Sequence, residues 1–294
     1  MNRCKGPIAN AYVQSTVEAA CRAIEEQGFA IIPNLISSHL AGKLARRALA
    51  SPRSSPGHAG WEAFVAMLNH DITFAELVGH PTVLAIVRRL IGGRSVPAPN
   101  AFAWPEADQI RLMNCDALVA HPGSESGWWH LDPPMGQLSP ARLVPDFPIV
   151  VNVMWMLTPF SKNNGATRVL PFSHLKRAVP PPTREPLNGE LHVCGGAGSI
   201  AIIPNITWHA ASPNRTKKDR VALACSYVPW WVNRLTLDSY PVTMETYQAL
   251  PGVVQALTRH QLQWNMDFTN PTTKRRLKSP EAKDSSKLDR PSRR

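Results

Sequence analysis

The chain has 294 residues, 44% of them hydrophobic, enough for one large domain with a buried core and short for two enzymatic domains. Its longest apolar stretch, Phe147 to Phe160, is interrupted by Asn152 and falls below the roughly 20 residues of a membrane-crossing helix; the opening MNRCKGPIANAYVQ lacks the apolar centre of a secretory signal, so a cytoplasmic protein without membrane association is expected. More than half of the formal net charge of +11 sits in the last 21 residues, which argues for a solvated tail and against a nucleic-acid-binding fold.

The elements follow in chain order. Val13 to Gln27 carries apolar residues at helical spacing and ends at Gly28, before the strand-like run FAIIPNLI. A second helix is expected from Ser38 to Ala50, a loop over 51–60, and short helices at Trp61 to Leu68 and Thr82 to Ile91. From Asp108 the texture changes to short apolar or alternating runs punctuated by Pro, Gly and Asn. Strands are expected at Gln109 to Ala120, Ile149 to Leu157, Ala166 to Leu170, Leu191 to Val193, Ser199 to Ile203 and Val221 to Val228, and a helical segment at Met244 to Gln261. This is a mainly β chain with flanking helices, and the series fits a double-stranded β-helix, a cupin-like jelly roll, over about 109–232. One domain over 1–271 and a basic, disordered tail over 272–294 complete the expected organisation. The five cysteines are an odd number without CxxC and suggest neither a disulfide framework nor a zinc knuckle.

Chemistry is carried first by Trp129-His130-Leu131-Asp132. In an extended segment residues i and i+2 share a face, so His130 and Asp132 converge on one point. Two histidines and one carboxylate suit iron(II) and leave positions open for a bidentate keto acid and O2. Alone, the pair is a weak signal: with ten His and ten Asp, about 0.3 such spacings per chain arise by chance. His209 follows a glycine-rich turn and the run IAIIP, and Arg220, at the head of VALACSYV, has the fork geometry for a distal carboxylate. Taken singly, His209 also reads as a surface histidine and Arg220 as a solvated strand end. His121 reads as a loop residue and His174 as the end of a turn; of Trp128 and Trp129, one is expected to line a pocket and the other to pack in the core.

Together these segments resemble the phytanoyl-CoA dioxygenase family of Fe(II)/2-oxoglutarate oxygenases. GFAIIPNLIS is similar to its opening strand, VNVMWMLTPFSKNNGATRVLPFSH to its central strand-turn-strand signature, and TWHAASPNRTKKDRVALACSYV to its distal-histidine segment. The resemblance implies Fe(2+) held by His130, Asp132 and His209, 2-oxoglutarate as co-substrate with its 5-carboxylate on Arg220, and O2 as oxidant. Thr167 is placed like a hydroxyl that helps hold that carboxylate, or is a plain strand threonine; Trp155 matches a tryptophan lining the co-substrate pocket, or is a core indole. Phe172 stands where the family usually has Gly. Retention of Asp132 implies oxygen chemistry over halogenation. The implied activity is hydroxylation, desaturation or rearrangement of a small organic molecule, in specialised metabolism ahead of an acyl-CoA hydroxylase of the phytanoyl-CoA type, for which Arg142, Lys176 and Arg177 would be available; a catalytically silent jelly-roll binding module is the remaining alternative. The selecting loops are expected at Pro133 to Pro148, Pro180 to Gly189 and after Trp230. A monomer or homodimer is expected.

Overall fold

The computed structural model describes residues 7–52, 55–92, 110–137, 143–232 and 241–263. The expected tail, Gln109, Arg142 and most of the segment after Trp230 lie outside the described residues. Helix α1 (Pro7–Gln27) buries Val17, Ala20, Cys21 and Ile24, the i, i+3, i+4, i+7 stripe that its sequence displays. It stops at Gly28, whose φ of +94° an L side chain rarely adopts and where a Cβ would lie 2.6 Å from His174 Nδ1. The short strand β1 (Ala30–Ile32) follows, then α2 (Ser38–Ala50), where the Ser37 hydroxyl accepts the Leu40 N–H.

The loop expected over 51–60 forms part of a hairpin of β2 (Ser55–His58) and β3 (Trp61–Phe64), and the helix expected from Trp61 to Leu68 is corrected to this strand. Only Met67–His70 coils, as α3. Trp61-Glu62-Ala63-Phe64 alternates in burial and pairs with the later strand over Ala117–Ala120, a tertiary partner that local periodicity does not reveal. Helices α4 (Ala75–Val78) and α5 (Pro81–Ile91) follow, the latter opened by Pro81.

The remaining strands are β4 (Ile110–Ala120), β5 (Val151–Met156), β6 (Arg168–Val169), β7 (Leu191–His192), β8 (Ile200–Pro204), β9 (His209–Ala210) and β10 (Arg220–Pro229). They form a seven-stranded sheet, β1-β8-β5-β10-β4-β3-β2, and a three-stranded sheet, β7-β6-β9, with antiparallel pairings throughout. The chain ends its described part in α6 (Met244–Ala249) and α7 (Gly252–Gln263), two helices instead of the one expected. Pro251 separates them, since it lacks an N–H and restricts the residue before it. No described helix is long and apolar enough to cross a membrane.

Alternation along β10 sorts the two faces of the major sheet. Val221, Leu223, Cys225 and Tyr227 join the core shared with α1, α2 and α5. Ala222 joins the interior cluster with Met156, Ala166 and Val169, between the two sheets. Arg220, Ala224 and Ser226 share that inward parity.

The Pro171-Phe172 turn preserves a backbone demand despite its unusual side chain. Phe172 has φ 62° and ψ 4°, left-handed, while its ring is largely exposed. An L residue bears a cost there of roughly 1–2 kcal/mol that glycine does not. Phe172→Gly is therefore expected to stabilise the fold by about 1 kcal/mol, read as a higher urea midpoint at unchanged slope.

Candidate metal and co-substrate site

His130 and His209 are brought together by a backbone bridge: His130 N donates to His209 O at 3.0 Å, and His209 N to His130 O at 3.1 Å. Around His130 the chain is not a continuous strand, yet its local alternation holds, because Leu131 turns into an apolar cluster while Asp132 turns toward the histidines. His130 Nε2 lies 3.8 Å from Asp132 Oδ1, and His209 Nε2 lies 3.4 Å from Asp132 Oδ2. All three ligand atoms fall within 4.8 Å of one another, and no other cluster of three or more candidate ligands occurs among the described residues.

The tautomers suit a metal. His130 Nδ1 meets Trp128 O at 2.9 Å and His209 Nδ1 meets Thr207 O at 3.0 Å. A carbonyl only accepts, so each Nδ1 carries a proton, which leaves Nε2 as the ring atom available to a metal. Burial acts to raise the Asp132 pKa, but His209, His130 and the Asn152 amide outweigh it and hold the carboxyl below its usual range. The donor set is thus two imidazole nitrogens and one carboxylate, closely grouped.

Behind Asp132 stands a pair that the sequence does not single out. Asn152 Nδ2 donates to Asp132 Oδ2, and Ser226 Oγ donates to Asn152 Oδ1. They occupy register partners on β5 and β10. The signal was the polar residue interrupting the apolar run from Phe147 to Phe160. Asn152→Ala removes the group that orients the carboxylate, and metal affinity is expected to fall about 10–100-fold with the fold retained, measured by competition against a chelating dye.

Arg220 lies on the same inward face of β10 as Ser226. It is 1% exposed, opens β10 on the inward face, and lies between aromatic rings, 4.8 Å from the Trp61 centroid and 4.6 Å from that of Phe160. Nη2 donates to Gly165 O at 2.9 Å, while Nε and Nη1 are buried without a partner. Among the described residues no carboxylate pairs with it. Burial pulls its pKa down to about 9. A buried guanidinium with two idle donors calls for an anion with paired oxygens, and the terminal carboxylate of 2-oxoglutarate has that form.

Thr167 faces the interior, with Oγ1 3.5 Å from Met154 Sδ. Trp155 does not: it belongs to the helix-side core, packs edge-on against His80 at 5.6 Å, and leaves its Nε1 unpartnered. The expectation that Trp155 lines the co-substrate pocket is corrected, because the residues of β5 on the Asn152 side are Met154 and Met156. Trp128 is exposed and Trp129 buried, opposite in direction as expected; His174 is buried in its turn with Nε2 on Glu25 O.

His121, read as a loop residue, staples two elements beside Arg220. Its Nδ1 lies 2.8 Å from Asp219 and its Nε2 3.0 Å from Glu62. Burial acts to lower its pKa, and the hydrogen bonds to Asp219 and Glu62 overcome this and raise it. A raised histidine pKa gives stability that is full below about pH 6.5 and lost as pH rises through the folded value. His121→Gln should therefore cost up to about 1 kcal/mol at pH 5.5 and less at pH 9, followed by urea unfolding at the two pH values.

A jelly roll presenting two histidines and one carboxylate at one point has the donor set of a mononuclear metal site. The chain belongs to the phytanoyl-CoA dioxygenase (PhyH) family, whose model matches residues 24–222. Dioxygenase andF of Emericella variicolor is 31% identical over 155 residues, covering 52% of this chain and 49% of that protein. Dioxygenase af480 of Aspergillus fumigatus is 28% identical over 194 residues, covering 64% and 55%. The chain spans about half the length of the curated relatives it matches. Similar solved structures include HygX from Streptomyces hygroscopicus with nickel, 2-oxoglutarate and hygromycin B (TM-score 0.56, 17% identity, covering 76% of this chain and 94% of that one). The epimerase SnoN from nogalamycin biosynthesis is another (TM-score 0.53, 18% identity, covering 73% and 83%). At these identities the likeness concerns the fold, a jelly roll.

Proposed function

We propose that this protein is an Fe(II)- and 2-oxoglutarate-dependent dioxygenase that hydroxylates, desaturates or rearranges a small organic molecule in specialised metabolism. The observation that carries this reading is Arg220: a buried guanidinium with two idle donors, in the same interior as the only three-ligand cluster among the described residues. His130, Asp132 and His209 would hold the iron, with Arg220 taking the distal carboxylate of 2-oxoglutarate and Thr167 beside it. Iron with 2-oxoglutarate supplies an oxidant from O2, releasing succinate and CO2.

The protein's own groups set the conditions for that chemistry. Backbone carbonyls of Trp128 and Thr207 fix the imidazoles, and Asn152 and Ser226 fix the carboxylate. The dioxygenases andF and af480 support the reaction class. HygX with 2-oxoglutarate and hygromycin B, and SnoN with Fe3+, alpha ketoglutarate and nogalamycin RO, support a small-molecule substrate. The acyl-CoA alternative draws less support: Lys176 stacks over Trp208 at 5.7 Å, and Arg177 donates to Val144 O, so both side chains are engaged locally.

We assign the oxygenase domain to 1–271 and leave 272–294 outside the chemistry. The test is succinate release under air with Fe(II), 2-oxoglutarate and a panel of polycyclic and glycosidic metabolites. Substrate-stimulated succinate formation with a product changed in mass by oxygen gain or hydrogen loss is expected. Binding of panel members without succinate would support the silent-module alternative instead.

A further inference from the structure

A polar cavity outside the jelly-roll interior takes no part in the chemistry above. It has a volume of about 560 Å³ and lies against the outward side of β6 and β7. Lys162, Arg168, Arg184, His192 and Arg215 all line it. Val169 of β6 enters the interior cluster, so Arg168 turns the other way, into this cavity. Arg168 is 3% exposed, and its Nε is buried without a partner; the Nε of Arg184 is buried and unpartnered as well.

Three carboxylates share the lining. Glu190 meets Arg168 at 3.4 Å, Glu125 meets Arg184 at 3.3 Å, and Glu185 is exposed at the rim. Among the described residues Lys162 and Arg215 have no carboxylate within ion-pair distance. His192 reports the field: burial lowers its pKa, Glu190 opposes this, and Lys162, Arg168 and Arg215 add to the lowering. A single carboxylate ligand would be satisfied by one arginine, whereas two cations without a carboxylate, Lys162 and Arg215, beside two guanidiniums in the same lining suit an oxyanion with several charged oxygens.

We propose that this cavity is a second ligand site that binds a phosphate group, held by Lys162 and Arg215, with the guanidinium charges of Arg168 and Arg184 in the wall behind it. The site is mechanically joined to the metal centre. Arg168 lies 5.0 Å over the Trp129 ring and Arg184 5.0 Å over the Trp128 ring, and Trp128 O holds Nδ1 of His130. An anion drawing on these guanidiniums acts on the two residues that precede the ligand.

The experiment is isothermal titration of the metal-free full chain with inorganic pyrophosphate, and separately with adenosine diphosphate, at constant ionic strength set by chloride. Saturable binding with one site is expected, with a change in tryptophan emission, and the Lys162→Ala/Arg215→Ala double variant should bind at least about tenfold more weakly. Both substituted residues are exposed, so the variant retains its fold. Tighter binding of the nucleotide would identify a phosphorylated organic ligand, and equal binding a free phosphate anion. No saturable heat beyond chloride, or unchanged affinity in the double variant, would overturn the proposal. Because no iron or 2-oxoglutarate is present, that failure would leave the dioxygenase reading untouched.

Discussion

Arg220→Met is expected to weaken 2-oxoglutarate binding by at least about 100-fold while making the ligand-free protein more stable. The two effects share one cause. In the free protein the guanidinium is buried with a single hydrogen bond, to Gly165 O, and two idle donors. Replacing a buried, poorly compensated charge with an apolar side chain of similar length is stabilising by about 1–4 kcal/mol. With the co-substrate bound, the same substitution strands a carboxylate in an apolar interior, a loss of about 3–5 kcal/mol, or roughly 10² to 10⁴ in affinity. Thermal melts with and without 2-oxoglutarate, using zinc as an inert metal, separate the two. A variant that is less stable when free and binds normally would show that Arg220 is a structural cation. Arg220→Lys should recover only part of the affinity, since an ammonium lacks the fork that meets two carboxylate oxygens.

The second large effect concerns Asp132. Asp132→Asn keeps shape and volume but removes the only negative charge among the three grouped ligands, and it leaves one acceptor oxygen where the carboxylate has two to share between the metal and the Asn152 amide. Disturbing an outer partner alone costs about 10–100-fold in metal affinity, so loss of the charged ligand should exceed about 100-fold. Fe(II) titration under anaerobic conditions measures it, and circular dichroism verifies that the fold is kept. Affinity within a few-fold of wild type would move the metal away from this triad.

How much of this was legible beforehand differs from element to element. Helix α1 announced itself because one face packs on a sheet and its stripe is long; α5 did so for the same reason. β3 did not, since Trp61 to Phe64 is too short for its period to decide, and its partner Ala120 is far away in sequence. The ligand triad was legible through ordered motifs more than through local geometry: His130 and Asp132 converge although their segment is not a continuous strand. Trp155 stayed open between pocket and core because adjacent strand residues face opposite ways and a shift of one position exchanges the two; the core reading is the one the fold bears out. Asn152 and Ser226 were invisible as a pair, because their contact depends on the β5–β10 register. Phe172 shows the converse, a departure in residue type that leaves the left-handed backbone in place.

The most direct test of the central claim, that His130, Asp132 and His209 hold iron chelated by 2-oxoglutarate with Arg220 at its far end, is anaerobic titration of the full chain with Fe(II) and 2-oxoglutarate under visible spectroscopy. A weak charge-transfer band that saturates in wild type and is absent in His209→Ala is the result expected. A wild type that binds Fe(II) and shows no such band would contradict the account.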